Sequence, residues 1–470
     1  MPSALDIRID QIMTQLTGEG GMLPVVPFEK NGARYPMIAA APPALPQYFA
    51  HFCAQHGDKD FLVCGEERLS FTEVHAHARA VAGALVQGWG VKRGDHVGIA
   101  ARNAPAWIVL YMGVLMAGGV ATLLNGWWQG PELAHALVSS DARLVLADLP
   151  RARRLEGQSH GAEIVVVDVG LPIDAALAPL MARGGGAETP LPELTGDDIA
   201  TILFTSGSTG QSKGAISTHR SVVQAAFNYL AQTLMSLNLM IQDGKPPTLQ
   251  PATLLNVPLF HVTAEVPVML QSFAMGRKLV IMAKWDAEEA MRLMQAEKVT
   301  YFVGVPLMSF EILNHPNRPN YDLSTVMDIA AGGAPRPAEH VKRLDEEMGG
   351  AKPLIGYGLT ETNGVGCGNF RDNYLAKPNS TGRPSPPLVD LAILDDAGAP
   401  VPQGARGEVC IRSICNFEGY YKNPEATSQA FTADRYFRTG DIGYLDEDGY
   451  LFIVDRKKDI IIRGGENISC

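Results

Sequence analysis

The chain has 470 residues, 46% of them hydrophobic, with 50 acidic against 39 basic side chains and a formal charge of −11. This length supports several domains with separate cores. The acidic balance excludes a broad nucleic-acid surface, which needs clustered Lys and Arg, but leaves room for a local phosphate site built from a few aimed donors.

The N-terminal stretch places Leu5, Ile9, Ile12, Met13 and Leu16 on one helix face, with Asp6, Arg8 and Asp10 where a signal peptide would be apolar. It reads as an amphipathic helix docked on the body; peripheral membrane contact is the alternative. A helix is expected over Phe71–Val86 and a buried strand over His96–Ala100. Trp107–Leu124 carries no charge and reaches transmembrane length, but Ala117–Gly119 ("AGG") divides it into an apolar helix and a buried strand. A helix over Pro131–Val138 and strands over Arg143–Ala147 and Glu163–Val169 follow. Met181–Pro192 is a Gly/Pro-rich surface connection. Strands at Ala200–Thr205, Lys278–Met282 and Tyr301–Val305, with a helix at Ala287–Gln295, continue an alternation that indicates doubly wound α/β layers. After about Asn379 short strands alternate with turn residues, suggesting a small antiparallel barrel or sheet. The six cysteines show no CxxC spacing and no zinc-like His partner, so they read as reduced thiols of a cytoplasmic protein.

Strand Ala200–Thr205 runs directly into "SGSTGQSKG". Glycines let backbone N–H groups converge on phosphate oxygens without Cβ clashes, and Ser206, Ser208, Thr209 and Lys213 add donors. A Walker A loop requires Gly-Lys-Ser/Thr, whereas Ser212 precedes Lys213 and Gly214 follows it. The spacing of Gly207, Gly210 and Gly214 also fails the GxGxxG dinucleotide pattern.

The stretch resembles the phosphate loop of the adenylate-forming superfamily: acyl-CoA synthetases, luciferases and the adenylation domains of peptide synthetases. Further stretches resemble the family in order: "PLFH" (Pro258–His261), "AAGGAP" (Ala330–Pro335), "YGLTET" (Tyr357–Thr362), "FRTGD" (Phe437–Asp441) and "DRKKDIIIRGGENIS" (Asp455–Ser469). The fold this resemblance implies is a large N-terminal domain of two doubly wound α/β subdomains, 1–195 and 196–380, plus a small β-barrel, 381–457. Residues 458–470 would be the hinge and the first residues of a mobile C-terminal domain that is otherwise missing.

The implied chemistry has two steps: a carboxylate displaces pyrophosphate from ATP, and a thiol then captures the acyl-adenylate. By resemblance, Thr205, Ser206, Gly207, Ser208, Thr209, Gly210 and Lys213 hold the β- and γ-phosphates, and Glu361 ligates Mg²⁺. Thr360 contacts the α-phosphate. Gly333, Ala334, Pro335, Tyr357 and Gly358 enclose the adenine, Asp441 and Arg456 the ribose, and Lys458 is the hinge. His261, which alone reads as a structural histidine, would close over the carboxylate and α-phosphate. A His there argues against an amino-acid substrate, whose ammonium would lack a counter-charge. Val262, Thr263, Val303, Gly304, Gly332, Asn363 and Gly364 are acyl-pocket candidates by position, with ordinary packing as the other reading. The Met/Leu-rich stretch Leu234–Gln242 is core or the flank of an apolar tunnel.

The implied function is an ATP-dependent acyl-CoA synthetase for a medium- or long-chain fatty acid, with ATP, Mg²⁺ and CoA required. An aryl-acid CoA ligase, a ligase loading a carrier protein and an adenylate-binding pseudoenzyme are the alternatives. The expected partners are small molecules, with no nucleic acid and no transmembrane segment; a homodimer stays open. "LNGWWQGPEL" (Leu124–Leu133) departs from the family's usual "LNPR". Trp127 and Trp128 are open between packing and an interface.

Overall fold

The computed structural model describes residues 2–205, 212–457, 460–463 and 466–469. Two large sheets dominate. A seven-stranded sheet has the order Gly419–Tyr420, Lys213–Thr218, Ile199–Thr205, Val120–Leu123, His96–Ala100, Leu144–Ala147 and Glu163–Val166. Its last five strands are parallel, and the first two add antiparallel to one edge. A nine-stranded sheet has the order Arg383–Pro384, Cys367–Phe370, Lys352–Tyr357, Asp328–Ala331, Tyr301–Gly304, Ala252–Leu255, Lys278–Ile281, Asp60–Cys64 and Glu67–Ser70. Val120–Leu123, Leu144–Ala147 and Ala252–Leu255 are buried at every position, as strands covered on both faces must be.

The long apolar stretch resolves as expected into helix Pro105–Met116 and strand Val120–Leu123. The helix is buried on all faces. A Cβ on Gly113 would lie 2.4 Å from Val81 Cγ1, so glycine permits the close crossing with helix Phe71–Gln87. Among the described residues no helix is long and apolar enough to cross a membrane. The N-terminal helix Ala4–Thr17 buries the predicted face, and also Asp6. The Asp6 carboxylate accepts bonds from Asn373 (3.1 Å), Arg383 (3.2 Å) and Tyr450 (2.9 Å), tying the first helix to the far end of the chain.

Two features differ from expectation. The C-terminal β region is not a closed barrel: Asp390–Leu394, Gly407–Arg412, Phe437–Leu445 and Leu451–Arg456 form an open antiparallel sheet in that order. Four strands are too few to curl round a filled interior. Its last strand instead meets Gly382 and Thr381, which follow the nine-stranded sheet. Sheet membership also crosses the expected boundaries at 195 and 380. Asp60–Ser70 belongs to the nine-stranded sheet, while Ile199–Thr218 and Gly419–Tyr420 belong to the seven-stranded one. The first two enter as adjacent antiparallel pairs, Asp60–Cys64 with Glu67–Ser70 and Ile199–Thr205 with Lys213–Thr218, each pair joining its sheet through one parallel neighbour.

Glu265 lies fully buried at the start of a π-helical turn, Glu265–Leu270, and accepts a bond from Tyr111 Oη at 2.7 Å. Burial pushes its carboxyl up to about 7, from an ordinary value of 4.5. Between those values the native carboxyl holds a proton that the unfolded one has released, so stability falls as pH rises through that window. Glu265→Gln should therefore stabilise the protein at pH 8 relative to wild type, by about 1–3 kcal/mol more than at pH 5. Paired denaturant melts at the two pH values measure this; an equal effect at both contradicts it.

Candidate active site

Thr205, His261, the Gly332–Pro335 turn and Tyr357–Glu361 follow the carboxyl ends of parallel strands, the usual crevice of open α/β sheets, while Asp441 and Arg456 lie on the antiparallel four-stranded sheet. Thr205 ends strand Ile199–Thr205 and is the direct cross-strand partner of Lys213. Ser206, Gly207, Ser208, Thr209 and Gly210 lie outside the described residues, as does Lys458. Lys213 stands over the Tyr420 ring, with Nζ 5.1 Å from the centroid. Tyr420 reaches that place because Gly419–Tyr420 adds to the edge of strand Lys213–Thr218, pairing with Ile216 and Ala215.

Tyr420 Oη donates to Glu361 Oε1 at 2.8 Å. Glu361 sits in the 3₁₀ turn Thr360–Thr362, 8% exposed, and its carbonyl accepts from Phe417 N at 2.8 Å. Burial raises the Glu361 carboxyl above its ordinary range, opposed by the Tyr420 bond and by the charges of Arg456 and Lys213. Sequence reasoning missed Tyr420, and no local signal marks it: its position follows from an edge pairing some 200 residues apart.

Asp441, 1% exposed, is held between Tyr357 Oη (2.6 Å) and Arg456 Nε (2.6 Å). Burial raises its carboxyl, and Arg456 and Tyr357 oppose the rise. Asp441 and Arg456 are cross-strand partners, which accounts for their ion pair. Arg456 is one-third exposed beside the almost fully buried Asp441.

The glycines shape the cleft floor. Gly356 is exposed within a central strand, and a Cβ there would meet nothing within 4 Å. Gly332 is similarly open, its nearest neighbour being the Gly356 carbonyl at 3.6 Å. Gly333 takes φ 75° in the turn that continues through Ala334 and Pro335, both at least partly exposed. Gly358 serves close approach instead: its Cβ would fall 2.0 Å from the Gly364 carbonyl oxygen.

His261 caps the short helix Val262–Ala264 and packs against Phe260 (4.6 Å) and Trp127 (5.9 Å between ring centroids). Trp127, half exposed, also meets Phe260 edge-on at 5.4 Å, while Trp128 packs on Phe204. Arg151 and Arg154 hold the intervening loop by donating to the Gly126 carbonyl. The unusual tryptophan loop thus borders the His261 side of the cleft. Val262 Cγ2 lies 3.5 Å from where a Gly364 Cβ would stand, and Tyr229 Oη donates to the Gly364 carbonyl. Val303 is buried on the same sheet face. Asn363 does not line the cleft: it is 1% exposed and bonded to Ser217 and the Cys415 carbonyl.

No group of three His, Cys, Asp or Glu able to hold a metal ion occurs among the described residues. A lone buried carboxylate at Glu361 suits a magnesium ion that arrives with phosphate oxygens and water, as that ion usually does.

Known proteins with this arrangement were then compared. A family model described as "AMP-binding enzyme" matches residues 49–421. A long-chain-fatty-acid–CoA ligase of Bacillus subtilis is 30% identical over 446 residues, covering 88% of this chain and 77% of its own. A feruloyl-CoA synthase of an Amycolatopsis species is 32% identical, covering 86% and 77%. The inhibitor-bound N-terminal domain of FACL13 from Mycobacterium tuberculosis superposes with a TM-score of 0.78 at 28% identity, covering 88% of this chain and all of that one. The matched span contains the glycine loop, His261, the Gly332–Pro335 turn, Glu361 and Tyr420, and on that basis the chain belongs to the AMP-binding enzyme family.

Proposed function

We propose that the protein activates a carboxylic acid with an apolar body, of medium or long chain, as its acyl-adenylate and passes the acyl group to CoA. The observation that carries this reading is the pair of side-chain-free positions Gly332 and Gly356, where an added Cβ would meet nothing closer than 3.6 Å, next to an apolar row on the same sheet face. The names of the relatives, which act on fatty and on feruloyl substrates, support the reaction class.

In the first step the acid's carboxylate oxygen attacks the α-phosphorus of ATP, and the bond to the bridging oxygen of pyrophosphate breaks. Two anions must meet, so charge neutralisation is the main task of the protein. Lys213 supplies a cation at the leaving group. Glu361 would hold Mg²⁺, which would supply charge neutralisation at the phosphates, and Thr360 offers a hydroxyl to the α-phosphate. Tyr420 orients the Glu361 carboxylate and opposes the rise that burial causes. Asp441 receives the ribose, and Tyr357 and the Gly333–Pro335 turn flank the base. His261 orients the incoming carboxylate, with Trp127 restricting water on its outer side. In the second step the thiol attacks the acyl carbonyl and AMP leaves.

Pyrophosphate exchange screened over alkanoic, aryl and amino acids tests the reading. Exchange is expected with alkanoic acids of medium or long chain; exchange with amino acids alone, or with none, overturns it. Glu361→Gln should lower exchange by about 100-fold or more, whereas Tyr420→Phe, which removes one bond to that carboxylate, should cost about 10-fold. Asp441→Asn should weaken ATP binding in calorimetry by about 10-fold or more, as a charge-assisted contact to the sugar is lost.

A further inference from the structure

Helix His219–Gln242 touches residues flanking the nine-stranded sheet at two points, Tyr229 on the Gly364 carbonyl and Ser236 on Arg371, and one face of that sheet changes character along its length. Register aligns Gly356 with Gly368; Val303, Ala330, Leu354 and Phe370 in a second row; and Tyr301 with Asp328 in a third. Side chains alternate along strands, so these rows share a face. The first row has no side chains, the second is apolar, and the third is polar.

The polar end is furnished more richly than packing requires. Arg277, 4% exposed, holds its guanidinium 4.9 Å from the Tyr301 ring centroid. Its Nε and Nη1 have no hydrogen-bond partner among the described residues, and neither has Asp328 Oδ1. Arg371 Nη2 stands 3.6 Å from that oxygen and donates to Ser236 Oγ at 3.3 Å. Two arginines bring more N–H donors than one aspartate has acceptor sites, even counting the unpartnered Asp328 Oδ1. Buried donors without acceptors are rare in native proteins and call for an explanation. The helix links this end to the reaction centre: Tyr229 bonds Gly364, and Ser236, seven residues on and on the same helix face, bonds Arg371. Seven residues of helix rise about 10 Å.

We propose that Arg277 forms a distal subsite of the acyl groove and donates to a second oxygen acceptor, a ketone or carboxylate, about 10 Å from the Gly364 end. The substrate class is then an acid with an apolar middle and an oxygenated far end. This rests on the acid-activating function proposed above. Arg277 is a specificity-determining residue, since a site built to bond an oxygen discriminates strongly against the analogue lacking it.

The test compares pyrophosphate exchange with decanoate, 9-oxodecanoate and decanedioate. At least one oxygenated acid should exceed decanoate in kcat/KM by about 10-fold or more, and the winner identifies the acceptor. Arg277→Met should abolish that preference while keeping decanoate exchange. Ser236→Leu, which narrows the same end from the helix side, should do likewise and serves where Arg277→Met fails to fold. Decanoate used as well as or better than both oxygenated acids by the wild type, or a preference untouched by either variant, overturns the distal subsite alone. Absence of exchange with every acid, ATP binding being intact, overturns the acid-activating reading and the subsite with it.

Discussion

A carboxylate taken almost wholly out of water organises the cleft. Asp441 sits on the four-stranded sheet, and its partners come from two places: Tyr357 from the end of a nine-stranded-sheet strand, and Arg456 from its own hairpin. An unpaired buried carboxylate would cost several kcal/mol, so the two sheets are held where both partners can reach it. Tyr357 is followed at once by Gly358 and the Thr360–Thr362 turn. The same tie therefore sets where Glu361 stands.

A second tie joins the seven-stranded sheet to this assembly. Gly419–Tyr420 covers the edge that strand Lys213–Thr218 would otherwise expose. The pairing also carries the Tyr420 hydroxyl to Glu361 and its ring beneath Lys213. One edge contact thus protects a sheet and brings a cation and a carboxylate together at the phosphate side of the cleft. Gly358 and Gly364 complete the junction, because no side chain fits where their backbones meet.

One face of the nine-stranded sheet is built from different material. Bare positions at Gly332 and Gly356 give way to an apolar row and then to a polar end. The 24-residue helix His219–Gln242 bonds the Gly364 carbonyl through Tyr229 and Arg371 through Ser236. The Met/Leu-rich stretch that begins at Leu234 is its C-terminal third, and Leu239 is buried beside the N-terminal helix, to which Arg8 adds a bond to Gln242.

Local pattern in the sequence was enough for the elements whose periodicity and punctuation agree. The charge-free Trp107–Leu124 run divides at its glycines, and the N-terminal apolar stripe docks as its spacing requires. The ordered motifs, through their resemblance to the adenylate-forming superfamily, named Lys213, Glu361, Tyr357, Asp441 and Arg456; the structure joins Tyr357, Asp441 and Arg456 directly and Lys213 with Glu361 through Tyr420. Pairing was another matter. Nothing local told Asp60–Ser70 to leave its neighbours for the second sheet, showed that the last four strands would stay open, or singled out Tyr420 and Arg277. Hydrogen-bond edges, close backbone approaches and buried charges are satisfied by whatever the fold brings near. Residue type and spacing therefore determined the elements and the chemistry on offer, while only the tertiary structure decided which groups share a cleft.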